Sequence, residues 1–336
     1  MAKTYLGIEI GSSVLKIAVC EDEIVKKLIL EDVPKNIINH RQIANWDGMA
    51  EVLKDCLKKY GISAKGAAIV LPEELTYVRR IVLPYMTIEQ LKFNLPFEFR
   101  DFIMGDKDDY VYDYAVIDIR EEEEEGKTTK KLDLIAAAVS RELLEKCEKM
   151  LKKCGLKFMD AAPESLAYQN IVRKYMNLHP DNENGEFAIL NLGSHAVDLR
   201  IYTDGVYETG KESKPGLEEV FLILRDQFGI QNFGSSDPQT IDEALRSQAC
   251  MDVYQRICLE VMRVFSFFQY NHPGNQLKTL YCCGVGVQMK PLMETIERLI
   301  GMEIKDLSTL FQDISEDENA LTYGAATVGI TWNEEA

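Results

Sequence analysis

No two cysteines are spaced CxxC, and the four histidines (His40, His179, His195, His272) lie far apart, which excludes the usual zinc sites. No apolar run approaches the ~18 residues of a membrane-spanning helix. Cations are scarce: 38 Lys and Arg stand against 55 Asp and Glu, a net charge of −17. Such a balance argues against a nucleic-acid partner and against attraction to an anionic lipid surface. Its plain consequence is solubility. The eight cysteines sit mostly inside apolar runs, where a free thiol behaves as a small hydrophobe. Ala2-Lys3-Thr4 leads straight into a strand, so a reduced, cytoplasmic location is expected. What the chain has in quantity is apolar material, 46% of 336 residues, enough for two cores.

Its strongest pattern is a strand–turn–strand unit that occurs twice. Residues 6–25 read LGIEIGSSVLKIAVCEDEIV, and residues 188–207 read AILNLGSHAVDLRIYTDGVY. Laid over each other, Gly11 falls on Gly193, Ser12 on Ser194 and Asp22 on Asp204. A Gly-Ser turn exposes backbone N–H groups and adds hydroxyl donors, a combination suited to phosphate oxygens. One copy would be read as an ordinary hairpin turn. Two in register, one in each half, point to a pincer on a polyphosphate.

The remainder reads as alternating elements. Apolar spacing predicts a helix over 47–60 with Asp47 as N-cap, and a buried strand over 66–71 closed by Pro72. Residues 72–155 interrupt the order with a strand over 75–83 and a helix from Thr87 to about residue 103, bent at Pro96. A hairpin (110–120 with 132–139) and a helix from Ser140 to Lys153 follow. The run 121–125, five glutamates, is read as a self-repelling loop tip. Residues 180–185 (PDNENG) read as a linker. Beyond the second repeat come helices over 216–228, 238–247 and 251–270. A strand over 278–283 then enters Gly284-Val285-Gly286, followed by helices over 288–300 and 318–330.

The duplicated meander, the late Gly turn and the small-residue last helix (Gly324, Ala325, Ala326, Gly329) together resemble the actin-like ATPase superfamily. The fold expected is α/β, two duplicated RNase H-like domains with a small α+β subdomain inserted in the first half. Its domains would be 1–72 with 155–185 and 318–336, the insert 73–154, and 186–317. An insert at this place is similar to that of FtsA and of the PilM family of pilus assembly proteins. VRRIVLPYMTIEQLKFNL (78–95), ICLEVMRVFSFFQ (257–269) and LKTLYCCGVGVQMKPL (277–292) resemble PilM segments.

That resemblance implies ATP or ADP with Mg²⁺ in the cleft between the halves. Gly11, Ser12, Ser13 and Lys16 would face phosphates at the first turn, Gly193 and Ser194 at the second, and Gly284 and Gly286 would border adenosine. Glu9 and Asn191 stand where the family usually has Asp, holding the water shell of the ion. The longer Glu9 shifts that shell and Asn191 removes a charge. Val285 replaces a glycine, where a branched side chain resists positive φ. Weak binding or slow hydrolysis is the expectation. The implied role is a cytoplasmic adaptor beneath the inner membrane, without membrane insertion of its own, that also self-associates. It would clasp the tail of a PilN-like single-pass membrane protein in a groove between the insert and the first half. Lining is expected from strand 75–83, the turn Pro84-Tyr85-Met86, and Phe93 and Phe97. Acidity around the groove would favour a tail carrying Lys or Arg. The alternatives are a sugar or acetate kinase, with Glu9 or Asp198 as base, and an FtsA-like protein. The last would want an amphipathic C-terminal helix, which the acidic Trp332-Asn333-Glu334-Glu335-Ala336 does not supply.

Overall fold

The computed structural model describes residues 4–21, 24–39, 42–124, 127–180, 185–214, 216–234, 236–311 and 318–332. The chain divides into two units. One comprises residues 1–173, 206–209 and 326–336, the other 174–205 and 210–325.

The first unit opens with the meander β1 (Thr4–Ile10), β2 (Val14–Glu21) and β3 (Ile24–Asp32). Asp22 and Glu23, at its second turn, lie outside the described residues. A short hairpin follows, β4 (Ile38–Asn39) with β5 (Gln42–Ile43), then α1 (Trp46–Lys59) and β6 (Gly66–Leu71). The N-cap of α1 is Asn45, not Asp47: the Asn45 side chain accepts from the Gly48 N–H at 2.9 Å. Both residue types cap well, and the choice is made by the chain path one turn earlier.

The insert holds β7 (Thr76–Pro84), α2 (Ile88–Glu98), β8 (Tyr110–Glu124) and β9 (Lys127–Ser140). Thr87 caps α2 in a reciprocal capping box with Gln90. The helix runs through Pro96 and ends at Glu98, short of residue 103. Ile81, Leu83, Leu91, Leu95, Phe99 and Leu134 form the insert's own core. The chain continues as α3 (Arg141–Lys153), β10 (Lys157–Pro163) and α4 (Glu164–Leu178).

The glutamate run is not a loop. β8 and β9 extend to their ends, so Glu121 pairs with Lys130, Glu122 with Thr129, Glu123 with Thr128 and Glu124 with Lys127. Lys130 donates to Glu121 at 2.9 Å, an attraction that offsets repulsion along the run. Glu125 lies outside the described residues, as do residues 181–184 of the linker.

The second unit repeats the plan with β11 (Glu186–Leu192), β12 (Val197–Thr203) and β13 (Val206–Ser213), although residues 206–209 of β13 belong to the first unit. Asp204 and Gly205 both have positive φ (53° and 72°), as the tight turn of a two-residue hairpin requires. Helices α5 (Glu218–Phe228), α6 (Pro238–Leu245) and α7 (Gln248–Asn271) precede β14 (Thr279–Cys283). Then come α8 (Lys290–Ile300), β15 (Glu303–Asp306) and α9 (Glu318–Gly329), of which residues 326–329 belong to the first unit.

The strand order is β10-β6-β1-β2-β3 in one sheet and β13-β12-β11-β14-β15 in the other. Each is an antiparallel meander extended by two parallel strands on the side of its first strand. The duplication visible in the Gly-Ser turns therefore extends over both sheets. Among the described residues no helix is long and apolar enough to cross a membrane.

Candidate functional site

The first Gly-Ser turn joins β1 to β2. The Gly11 N–H donates to the Val14 carbonyl at 2.9 Å, and the Ser13 carbonyl accepts from the Val33 N–H at 2.8 Å. A Cβ at Gly11 would meet only the Val14 carbonyl oxygen, at 3.1 Å, so the turn itself does not demand glycine. Ser12 is half-buried and Ser13 exposed. Glu9 and Lys16 face each other across the ladder, and the Lys16 ammonium donates to Glu9 Oε1 at 2.5 Å. Two side chains expected to act separately, one toward metal and one toward phosphate, are thus joined as an ion pair.

The second turn is built differently. A Cβ at Gly193 would lie 2.7 Å from the Ala196 carbonyl oxygen, so glycine is needed by the fold there. Its carbonyls hold the start of α5: Gly216 N–H donates to His195 (2.8 Å), Leu217 N–H to Gly193 (3.1 Å) and Glu218 N–H to Ser194 (2.7 Å). The N-terminus of α5 has no side-chain cap; the turn supplies its acceptors. Gly216 makes this approach feasible, since a Cβ there would meet Ala196 N at 2.5 Å. The sequence reading treated Gly216 only as a helix boundary. A Gly just past the end of the meander's last strand carries no pattern that would mark it.

The late turn lies against the same strand. Gly284 has φ 88°, and a Cβ on it would meet Asn191 Oδ1 at 2.5 Å and the Leu192 carbonyl oxygen at 2.7 Å. A Cβ on Gly286 would meet Leu192 Cβ and Leu217 Cδ1, each at 2.6 Å. Gly193, Ser194, Gly284, Gly286 and Asn191 are therefore brought together in the second unit. The Gly284 N–H donates to the Thr322 carbonyl at 2.9 Å, and the Thr322 hydroxyl to both oxygens of Asp306 at 2.9 and 3.0 Å. Asp306 and Thr322 went unnoticed in the sequence because neither belongs to a Gly motif. Val285 begins a short 3-10 turn without a positive φ; Gly284, one residue earlier, has it instead. Asp198 is buried, opposite Asn191 across the β11–β12 ladder.

A second feature lies within the first unit, at the foot of the insert. An apolar cleft with a cavity of about 30 Å³ opens between the end of the sheet, at Ile10 and Leu71, and Leu143 and Cys147 of α3. Ile43, Trp46 and Leu75 complete its wall. Burial pushes the Cys147 thiol up to about 12, so it stays neutral there. Of the lining expected from sequence, only Leu75 is part of it. Ile81 and Leu83 belong to the insert's own core, while Tyr85, Phe93 and Phe97 point outward, 57%, 71% and 46% exposed. Helix α2 is apolar on opposite sides, so periodicity gave no means of telling its inner face from its outer one.

The sequence matches the family model of the type IV pilus assembly protein PilM over residues 7–323. No curated protein matches it significantly in sequence. Among solved structures it is similar to a PilM-PilN type IV pilus biogenesis complex, with TM-score 0.78 and 15% identity over 97% of this chain and 98% of that one. It is also similar to the ethanolamine utilization protein EutJ from Carboxydothermus hydrogenoformans, with TM-score 0.59 and 12% identity over 98% and 90%. At such identities the likeness speaks to the fold.

Proposed function

This chain belongs to the family of type IV pilus assembly proteins PilM and has the actin-like ATPase fold, and on that premise we propose that it is an adaptor of a pilus or related secretion platform. Its partner is a PilN-like inner-membrane protein, whose cytoplasmic tail enters the apolar cleft at the foot of the insert. The observation that carries this reading is the mainly apolar wall of that cleft, to which Trp46, Leu71, Leu75 and Leu143 all contribute. A cavity of about 30 Å³ admits no more than the tip of one small side chain, so an extended tail of about ten residues would lie across its mouth and gain most of its affinity from main-chain pairing. The protein would then sit at the cytoplasmic face of the membrane through its partner.

Nucleotide is the second ligand in this reading. Each unit carries one Gly-Ser turn, and the hydroxyls of Ser12 and Ser13 in one and of Ser194 in the other are the donors offered to phosphate oxygens. The fit to Mg²⁺ is poorer. Glu9 is engaged by Lys16 and Asn191 is uncharged, so an ion's water shell would compete with an ammonium for one carboxylate. Weak metal dependence and slow turnover follow, and nucleotide would act by biasing shape. A kinase role is not favoured by the family match.

A tail peptide carrying a photoreactive group at an apolar position tests the assignment. Cross-links to Trp46, Leu75 or Leu143 are expected; cross-links confined to the second unit would count against it.

A further inference from the structure

The second unit holds a cleft that neither ligand of the foregoing reading uses. It has a volume of about 500 Å³ and lies between the last residues of β13 and the middle of α7. Val253 and Ile257, both buried, form an apolar floor, and Leu259 stands half exposed beside them. Lys211, Lys214, Arg256 and Arg263 stand around it.

In a chain of net charge −17, four cations on one cleft reverse the prevailing sign. Three carboxylates also line it, each paired with one of those cations: Glu212 with Lys214 at 2.8 Å, Glu219 with Arg256, and Glu260 with both Lys211 at 3.3 Å and Arg263. Four cations against three carboxylates leave the cleft cationic by one. The cations are 44% to 70% exposed, and ion pairs so exposed are weak. An incoming carboxylate can therefore take over a guanidinium at small cost, and Arg offers a planar two-toothed grip.

The backbone adds a second element. β13 is the outer strand of its sheet. Its first half is held by the first unit, where the Tyr207 N–H donates to Gln169 Oε1 at 2.8 Å and Glu208 accepts from Arg80 at 2.6 Å. Beyond Gly210 the strand borders the cleft through Lys211, Glu212 and Ser213. An outer strand offers the backbone groups to which a further strand adds.

We infer that this cleft binds an extended acidic segment of a partner protein, laid along the end of β13, with its carboxylates on the Arg and Lys side chains and its alternate apolar residues on Val253 and Ile257. The period of two along an extended chain presents both kinds of side chain to the two kinds of wall.

The probe is a labelled peptide of about eight residues, a strand's length, alternating Glu and Val. Its binding to the full chain is followed by fluorescence anisotropy beside a Lys-Val peptide of equal length. The Glu-Val peptide should bind, weaken at about 0.5 M salt, and lose about tenfold or more in affinity with Arg256→Glu/Arg263→Glu. Lys214→Glu, past the end of β13, gives the same comparison if the double variant does not fold. Binding no better than that of the Lys-Val peptide, or unchanged in the folded variants, overturns the inference. So does a concentration-dependent dimer that the charge reversal dissolves, because a second copy then fills the cleft.

Discussion

Asp133 has no exposed surface and receives two hydrogen bonds from Arg80, 3.1 Å from Nε and 2.8 Å from Nη2. Arg120 donates to it as well, and the remaining terminal nitrogen of Arg80 reaches Glu208 at 2.6 Å. The insert is thereby tied, inside its own unit, to the start of β13. Arg80 keeps Glu208 when the Asp133 charge is removed, and Arg120 is half exposed, so what is lost is mainly the charge-assisted hydrogen bonding at a buried site, about 1–3 kcal/mol. Asp133→Asn should lower the stability of the first unit by that order in denaturant unfolding. A loss under about 1 kcal/mol would mean that solvent takes over the guanidinium groups.

The glycines separate by what they serve. Gly284→Ala forces a positive φ on a residue with a side chain and pushes a methyl against Asn191 and the Leu192 carbonyl. Its expected cost is about 1–3 kcal/mol, read as a fall in thermal midpoint. Gly11→Ala meets a single atom at 3.1 Å and should leave the midpoint nearly unchanged. If phosphate approaches that turn, however, the added methyl should weaken ATP and ADP at least severalfold in calorimetry. Equal nucleotide affinity in Gly11→Ala and the unmutated chain would remove the first turn from the site.

Asn191→Asp restores a hard, charged oxygen on β11 and should tighten Mg²⁺-nucleotide relative to nucleotide alone. Lys16→Met frees Glu9 from its ion pair and should act in the same direction on the metal while weakening nucleotide without metal. Titrations of ATP with and without Mg²⁺ read both. Turnover above about 1 per second in the unmutated chain would contradict the slow hydrolysis expected here.

Alkaline pH should unfold the protein from within. Burial pushes Cys147 and Tyr281 up to about 12, and Cys56 and Cys258 up to about 11. Folded values raised above unfolded ones mean that the neutral forms favour the native state. That stability is fully present below the unfolded values, about 9 for the thiols and 10 for the phenol, and is lost as pH rises toward the folded ones. Urea midpoints should be level from pH 7 to about 8.5 and fall by pH 10.5. A flat profile would show that these groups ionise without leaving the core. Native Cys147 should likewise resist a thiol reagent at pH 8.

The elements legible in sequence were those specified locally. Gly66–Leu71, the capped helix from Ile88 and both Gly-Ser turns follow from nearby residues, and the duplication was visible because both meanders keep the same spacing. What escaped depends on partners far along the chain. The glutamate run looks like a loop until its first four residues are paired with 127–130 of the opposite strand. β15 is four residues long and is a strand only because β14 lies beside it. Trp46 precedes the helix expected from spacing and Leu143 lies nearly a hundred residues further on, so only the fold makes them walls of one cleft.

The adaptor reading is tested most directly by calorimetric titration of the partner's cytoplasmic tail, as a peptide of about ten residues, into the full chain and into Leu143→Asp. A carboxylate in the apolar wall would be desolvated by the bound tail, so affinity should fall at least about tenfold. Nucleotide binding and thermal midpoint serve as controls that the variant is folded. Micromolar binding to the unmutated chain that is lost in Leu143→Asp is the predicted result. Equal binding to both, or none to either, would contradict the claim that this cleft holds the membrane partner.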